Sequence, residues 1–189
     1  MLHSHDFRLR DVPVGEKVFF FLRDPVSRFA SGFMSRQRMG HPYYHVPWTA
    51  GEKQAFAVFR SPVELALALS DTDPAVRERA GCAMNHIGHV RTHYTDWFES
   101  KNYLEERADD ILFVGFQESM DTDFSRLREL LDIPESVKLP SEAMEANRNP
   151  RKRDAGLTLQ AQTNLEKWYK EDYRFLTYIQ NRFISNQTN

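Results

Sequence analysis

The chain has 189 residues, of which 41% are apolar and 13% aromatic, so it can fill one substantial core and is not a disordered chain. Its formal net charge of −2 supplies no whole-protein field for a polyanion, and no nucleic-acid partner is expected. Cys82 is the single cysteine, which excludes an internal disulfide and a cysteine zinc cluster.

The opening Met1-Leu2-His3-Ser4-His5-Asp6 has no basic segment followed by a long apolar core, so no signal peptide is expected. No apolar run approaches membrane-spanning length, which predicts no membrane partner and a cytoplasmic protein of bacterial type. His3 and His5 carry imidazoles that titrate near neutrality and could take a proton from an attacking hydroxyl. A pair of solvated histidines at a frayed end fits the same residues.

Val18 to Leu22 is a short continuous apolar run rich in β-formers, which predicts a buried strand of a parallel sheet. Asp24 then reads as an N-cap and Pro25 as the first helical residue, where a missing N–H is harmless. Val26, Phe29, Ala30 and Phe33 recur at helical steps and mark one packed face. Ser27 and Ser31 share another face, one turn apart. Arg23 lies at the carboxyl end of the strand. An arginine, a helix start and hydroxyls in this order suit a phosphate or sulfate. An Arg23–Asp24 ion pair at an ordinary helix start fits equally well. Residues 1–40 hold Arg8, Arg10, Lys17, Arg23, Arg28, Arg36 and Arg38 against Asp6, Asp11, Glu16 and Asp24, a local basic excess around the proposed anion site.

The stretch from Met39 to Thr49 is a loop by its Gly and Pro content, and Tyr43, Tyr44, His45 and Trp48 make it aromatic. These rings suit either the wall of an acceptor site or a cover on the core. Pro42 and Pro47 argue against a helical metal pair at His41 and His45, and no metal is expected. Ser61-Pro62 and Asp73-Pro74 each open a helix, the second running to about Ile87. His86, His89 and His93 would share one face if that helix continued to Trp97. Cys82 is expected to be a small buried residue of it. Ile111 to Phe116 is a second buried strand, followed by a helix to Leu131 with Phe124, Leu127, Leu130 and Leu131 on its packed face. Glu118 reads as a hydrogen-bonding residue of the structure rather than a catalytic acid. Residues 132–156 are a proline-containing loop whose run Asn147 to Asp154 is strongly basic, and Leu157 to about Ile184 reads as a terminal helix with Leu165, Trp168, Tyr169, Phe175 and Leu176 as its stripe.

The segment Arg23-Asp24-Pro25-x-x-Arg28-x-x-Ser31-x-Phe33 resembles the 3′-phosphate-binding motif of the sulfotransferases that use 3′-phosphoadenosine-5′-phosphosulfate (PAPS), especially the Golgi carbohydrate sulfotransferases and their bacterial relatives. The resemblance implies that Arg23 and Ser31 hold the 3′-phosphate. It implies that basic residues of the 147–154 run, Arg148 and Arg153 foremost, close over the nucleotide. In heparan-sulfate sulfotransferases a His-x-His pair precedes the same strand, so His5, or His3, would be the general base. The implied fold is α/β: a helix-rich, three-layer, P-loop-NTPase-like sulfotransferase domain with a small parallel sheet, spanning 1–189. The implied partners are PAPS as sulfate donor, its product adenosine 3′,5′-bisphosphate (PAP), and an acceptor hydroxyl, carbohydrate in character; the oligomeric state is left open.

The sequence departs from the family at its start, where the first βα unit and a Lys-x-x-x-Thr-[Ser/Thr]-type loop for the 5′-phosphosulfate are not found. That loop supplies N–H donors and a lysine, and losing even one preorganised oxyanion donor costs about 10²–10³ in rate. Low activity of this chain is therefore expected, unless the native start lies upstream or another subunit fills the gap. The alternative function is a non-catalytic nucleotide-binding or protein-interaction module derived from a sulfotransferase. A nucleotide-dependent kinase is disfavoured, since neither a phosphate-loop lysine nor paired magnesium carboxylates can be assigned.

Overall fold

The structure, a computed structural model, describes residues 7–140 and 156–184. In chain order the elements are β1 (Val18–Leu22), α1 (Pro25–Gln37), α2 (Ala50–Val58), α3 (Pro62–Ala68), α4 (Pro74–His86), α5 (Tyr94–Phe98), α6 (Lys101–Glu106), β2 (Ile111–Phe116), α7 (Met120–Leu130), α8 (Leu159–Trp168) and α9 (Lys170–Ile179). The result is a helix-rich α/β chain with a small parallel sheet. It divides into two compact units, one made of the segment ending at Asp24, His93–Lys138 and the segment from Lys170 onward, the other of Pro25–Thr92 and the segment ending at Tyr169.

The first unit is built on the sheet. β1 and β2 pair in parallel, with Phe19 opposite Phe113, Phe20 opposite Val114, Phe21 opposite Gly115 and Leu22 opposite Phe116. A side chain at Gly115 has no room, because its Cβ would stand 2.4 Å from the Phe21 ring. Leu22 and Val114 join Tyr94, Phe98, Leu104, Phe175, Leu176 and Ile179 in one apolar cluster, so α5, α6 and α9 all bury a face here. Full burial of each such side chain contributes about 1.5–3 kcal/mol. Arg107, at the end of α6, fastens the chain entry: its Nε donates to Asp110 Oδ2 at 2.5 Å, Nη1 to the carbonyls of Leu9 and Val12, and Nη2 to that of Pro13. Asp110 Oδ1 accepts from the Gly15 N–H, and these bonds hold its carboxyl below the usual carboxylate range.

The second unit is a helical cluster around α1, whose Phe29 and Phe33 are fully buried. Phe33 meets Phe56 edge-on at 5.2 Å, and Trp48 packs on Phe56 at 5.1 Å, so this ring of the aromatic loop covers the core. Tyr44 remains 42% exposed. Gly40 takes φ 88° and lies under the Tyr44 ring, where any Cβ would collide at 2.0 Å. Arg36 and Glu52 form a buried pair at the centre, and Asn164 of α8 donates to the Ala66 carbonyl of α3 at 2.9 Å.

Several expectations are corrected. Helix α4 ends at His86, capped by the Ile87 N–H on the Ala83 carbonyl, so His86, His89 and His93 do not share a helical face. Cys82 is exposed rather than buried, because the packed face of α4 is Ala80, Ala83 and Met84. On α7 only Leu127 of the four apolar residues is buried; Leu130 and Leu131 are exposed, and Asp123 turns inward to accept from the Phe116 N–H at 2.8 Å. The terminal helix is two helices, interrupted at Tyr169 (φ −92°, ψ 23°), whose hydroxyl donates to the Val90 carbonyl at 2.7 Å.

Candidate functional site

The bounds of the strand, the two-residue connection and the start of the helix fall where the sequence places them, but β1 is not the buried strand expected: with β2 as its one partner among the described residues, Phe19 is exposed and only Leu22 is buried. β1 ends at Leu22, Arg23 and Asp24 connect, and α1 starts at Pro25. In the first unit Arg23 therefore stands just beyond the carboxyl end of a parallel strand, the end at which open α/β sheets bind ligands. Its side chain is half-buried. Among the described residues its guanidinium makes no hydrogen bond and no ion pair. Burial pushes the group down from its ordinary value, and the negative charges of Glu118 and Asp24 partly offset this. An arginine stays protonated under such a shift, so a half-buried cation with its donors unsaturated stands at the strand end.

The peptide groups around it are held firmly. The buried Tyr94 hydroxyl donates to the Arg23 carbonyl and accepts from the Arg23 N–H at 3.2 Å. The Asp24 N–H donates to Glu118 Oε1 at 2.9 Å, and the Asp24 carboxylate accepts from the Tyr173 hydroxyl at 2.7 Å. Glu118 thus carries the structural hydrogen bond expected of it. Tyr94 is itself fixed, because its N–H donates to Asp172 Oδ1 at 2.8 Å and its ring stacks on Phe175 with centroids 6.1 Å apart. The other oxygen of Asp172 lies 3.3 Å from His93 Nδ1.

In the second unit, Ser31 lies in the second turn of α1, half-buried, with its hydroxyl making no hydrogen bond among the described residues. Arg28, the middle basic residue of the motif, lies over the Tyr169 ring at 5.5 Å, within the distance of a cation–π contact. His3, His5, Arg148 and Arg153 lie outside the described residues. Among the described residues no group of three or more His, Cys, Asp or Glu could hold a metal ion, and no helix is long and apolar enough to cross a membrane.

Sequence reasoning gave Tyr94, Asp172 and Tyr173 no role at the site, because the pairing of Tyr94 with Arg23 and with Asp172, some seventy to eighty positions away, leaves no periodic trace.

Comparison with known proteins adds one finding of identity. A family model described as the Sulfotransferase family matches residues 14–179, from before β1 to the last residue of α9. No curated protein and no solved structure matches the chain. The match takes in nearly the whole chain, with the strand, the arginine and the helix inside it: the chain belongs to the sulfotransferase family.

Proposed function

We propose that this chain binds PAPS as its sulfate donor and transfers the sulfuryl group to an acceptor hydroxyl of a carbohydrate. The observation that carries the reading is Arg23: a half-buried guanidinium with unsaturated donors at the carboxyl end of β1, in a member of the sulfotransferase family. Arg23 and Ser31 hold the 3′-phosphate in this reading, Arg23 by charge-assisted hydrogen bonds and Ser31 by its hydroxyl. Arg148 and Arg153 add positive charge over the nucleotide, as the family resemblance implies. The sheet belongs to a three-layer, P-loop-like arrangement in the same reading.

The reaction makes one S–O bond and breaks another. The acceptor oxygen attacks sulfur, the bridging oxygen to the 5′-phosphate departs with its electron pair, and PAP leaves. The acceptor proton passes to a base, His5 or His3 by the resemblance. Transfers of this type rest chiefly on alignment and on stabilising charge that develops in the transition state. Residues that grip the remote 3′-phosphate contribute by fixing the donor against the acceptor.

The test is transfer of labelled sulfate from PAPS to a panel of hydroxylated glycans, beside His5→Ala. Label in a glycan product supports the reading, and a His5→Ala variant that binds PAP normally but turns over poorly assigns the base. Tight PAP binding without transfer to any acceptor would instead favour a nucleotide-binding module without catalysis.

A further inference from the structure

We propose that Tyr94, held in turn by Asp172, is the positioning residue that aims Arg23, and that this clamp sets the preference for a 3′-phosphorylated nucleotide over its 5′-monophosphate counterpart. The inference rests on the reading of Arg23 as a 3′-phosphate ligand and lies wholly within the first unit.

The argument starts from an arginine that has just left a strand. Residues within β1 have their peptides fixed by the ladder with β2, which ends at the Leu22–Phe116 pair. Arg23 is one residue past that support. Its long side chain makes no hydrogen bond among the described residues that would fix its direction. Its direction therefore depends on its own backbone, and a small rotation of that peptide swings the guanidinium by a large arc.

Tyr94 removes this freedom with one atom. Its hydroxyl uses its proton on the Arg23 carbonyl and a lone pair on the Arg23 N–H, so both polar groups of the arginine's main chain are tied to the same oxygen. The hydroxyl can do this only if the ring cannot move. The ring is 3% exposed and stacked on Phe175, and the Tyr94 N–H is anchored on Asp172 Oδ1 at 2.8 Å. Asp172 is itself 1% exposed, with its second oxygen 3.3 Å from His93 Nδ1. The next residue of α9 repeats the device: the Tyr173 hydroxyl donates to the Asp24 carboxylate at 2.7 Å. Two successive residues of α9 thus hold the two connecting residues after β1, Asp172 through Tyr94 and Tyr173 directly. Asp172 is a buried aspartate that accepts from the Tyr94 N–H and faces His93, so it anchors Tyr94 to α9. Neither Tyr94 nor Asp172 touches the nucleotide in this account; both act through Arg23.

The experiment compares PAP with adenosine 5′-monophosphate by calorimetry on the wild-type chain, Tyr94→Phe, Arg23→Ala and the double variant. Tyr94→Phe keeps the ring and deletes the clamp. A hydrogen bond between charged groups is worth about 10-fold or more in affinity, so a misaimed Arg23 should lower PAP affinity at least about 10-fold in Tyr94→Phe. Affinity for the monophosphate, which has no 3′-phosphate, should stay within about 2-fold. In the Arg23→Ala background the same loss of the hydroxyl should change PAP affinity little, because the group it aims is gone. A general structural role would lower both affinities together and would add to Arg23→Ala; either result overturns the proposal, as does an unchanged PAP affinity in Tyr94→Phe. If Tyr94→Phe does not fold, Asp172→Asn, which keeps one acceptor oxygen for the Tyr94 N–H, should show the same selective loss at smaller size, and equal loss of both ligands there overturns it too. A wild-type chain with no preference for PAP over the monophosphate overturns the reading of Arg23 and this inference with it, whereas a wild-type preference that Arg23→Ala removes and Tyr94→Phe leaves intact overturns this inference alone.

Discussion

Replacing Glu52 by Gln should destabilise the chain by about 3–5 kcal/mol at pH 7, the cost of breaking a buried ion pair from one side. The size follows from what the carboxylate does. Glu52 is 1% exposed, and its oxygens accept from Arg36 Nε at 2.6 Å, Arg36 Nη2 at 2.8 Å, the Thr49 N–H at 2.9 Å and the Gly88 N–H at 3.1 Å. Arg36 also donates to the carbonyls of Val46 and Pro47, so one pair ties α1, the aromatic loop, the start of α2 and the turn after α4. A glutamine offers one acceptor oxygen and turns an N–H₂ group toward donors. Burial alone would raise the Glu52 carboxyl, but the bonds from Arg36, Thr49 and Gly88 outweigh it and hold the group at about 2 against an ordinary 4.5. A folded value below the unfolded one means that this stabilisation is complete above about pH 4.5 and is lost as pH falls toward about 2. The interval corresponds to about 3 kcal/mol, in line with the low end of the mutational figure. Urea unfolding of wild type and Glu52→Gln at pH 7 and at pH 3 is the assay. The gap between them should be about 3 kcal/mol or more at pH 7 and narrow by about 2 kcal/mol at pH 3. A gap below about 1 kcal/mol at pH 7, or one of the same size at both pH values, would refute the reasoning.

Two further outcomes check the packing. Gly32→Ala would ordinarily strengthen a helix by up to about 1 kcal/mol, but here the new Cβ would meet His89 Cβ at 2.9 Å and its carbonyl carbon at 3.3 Å. A lower melting temperature is expected, by a ΔΔG of about 1–3 kcal/mol, and a raised one would contradict the close approach of α1 to that backbone. Cys82 is exposed, so a thiol reagent should label it stoichiometrically in the native protein without denaturant. Labelling only after unfolding would contradict its position on the outer face of α4.

Local chemistry was legible where it governs the result. The apolar run before Arg23 and the Asp-Pro after it gave β1 and the start of α1 to the residue, and Ser61-Pro62 and Asp73-Pro74 opened helices as their capping chemistry requires. The motif from Arg23 to Ser31 stands out in the sequence for the same reason, because its spacing is local; that the two residues hold a phosphate is the proposal made above. What escaped depends on tertiary contacts. The stripe from Leu165 to Leu176 is continuous in sequence, yet Tyr169 breaks the helix, with its hydroxyl on the Val90 carbonyl. Apolar spacing put Leu130 and Leu131 on a packed face, but α7 buries Asp123 and Leu127 instead, and both leucines are exposed. The Tyr94 clamp joins residues far apart in the chain, and no pattern of hydropathy marks a hydroxyl that will be buried against a peptide.

The most direct test of the central claim is titration of PAP into the wild-type chain and into Arg23→Ala. Charge-assisted hydrogen bonds to a phosphate are worth about 1.5–3 kcal/mol, so the account predicts saturable binding to wild type that weakens by at least about 10-fold in Arg23→Ala, at unchanged thermal stability of the free chain. Equal binding by the two proteins, or none by wild type, would contradict it.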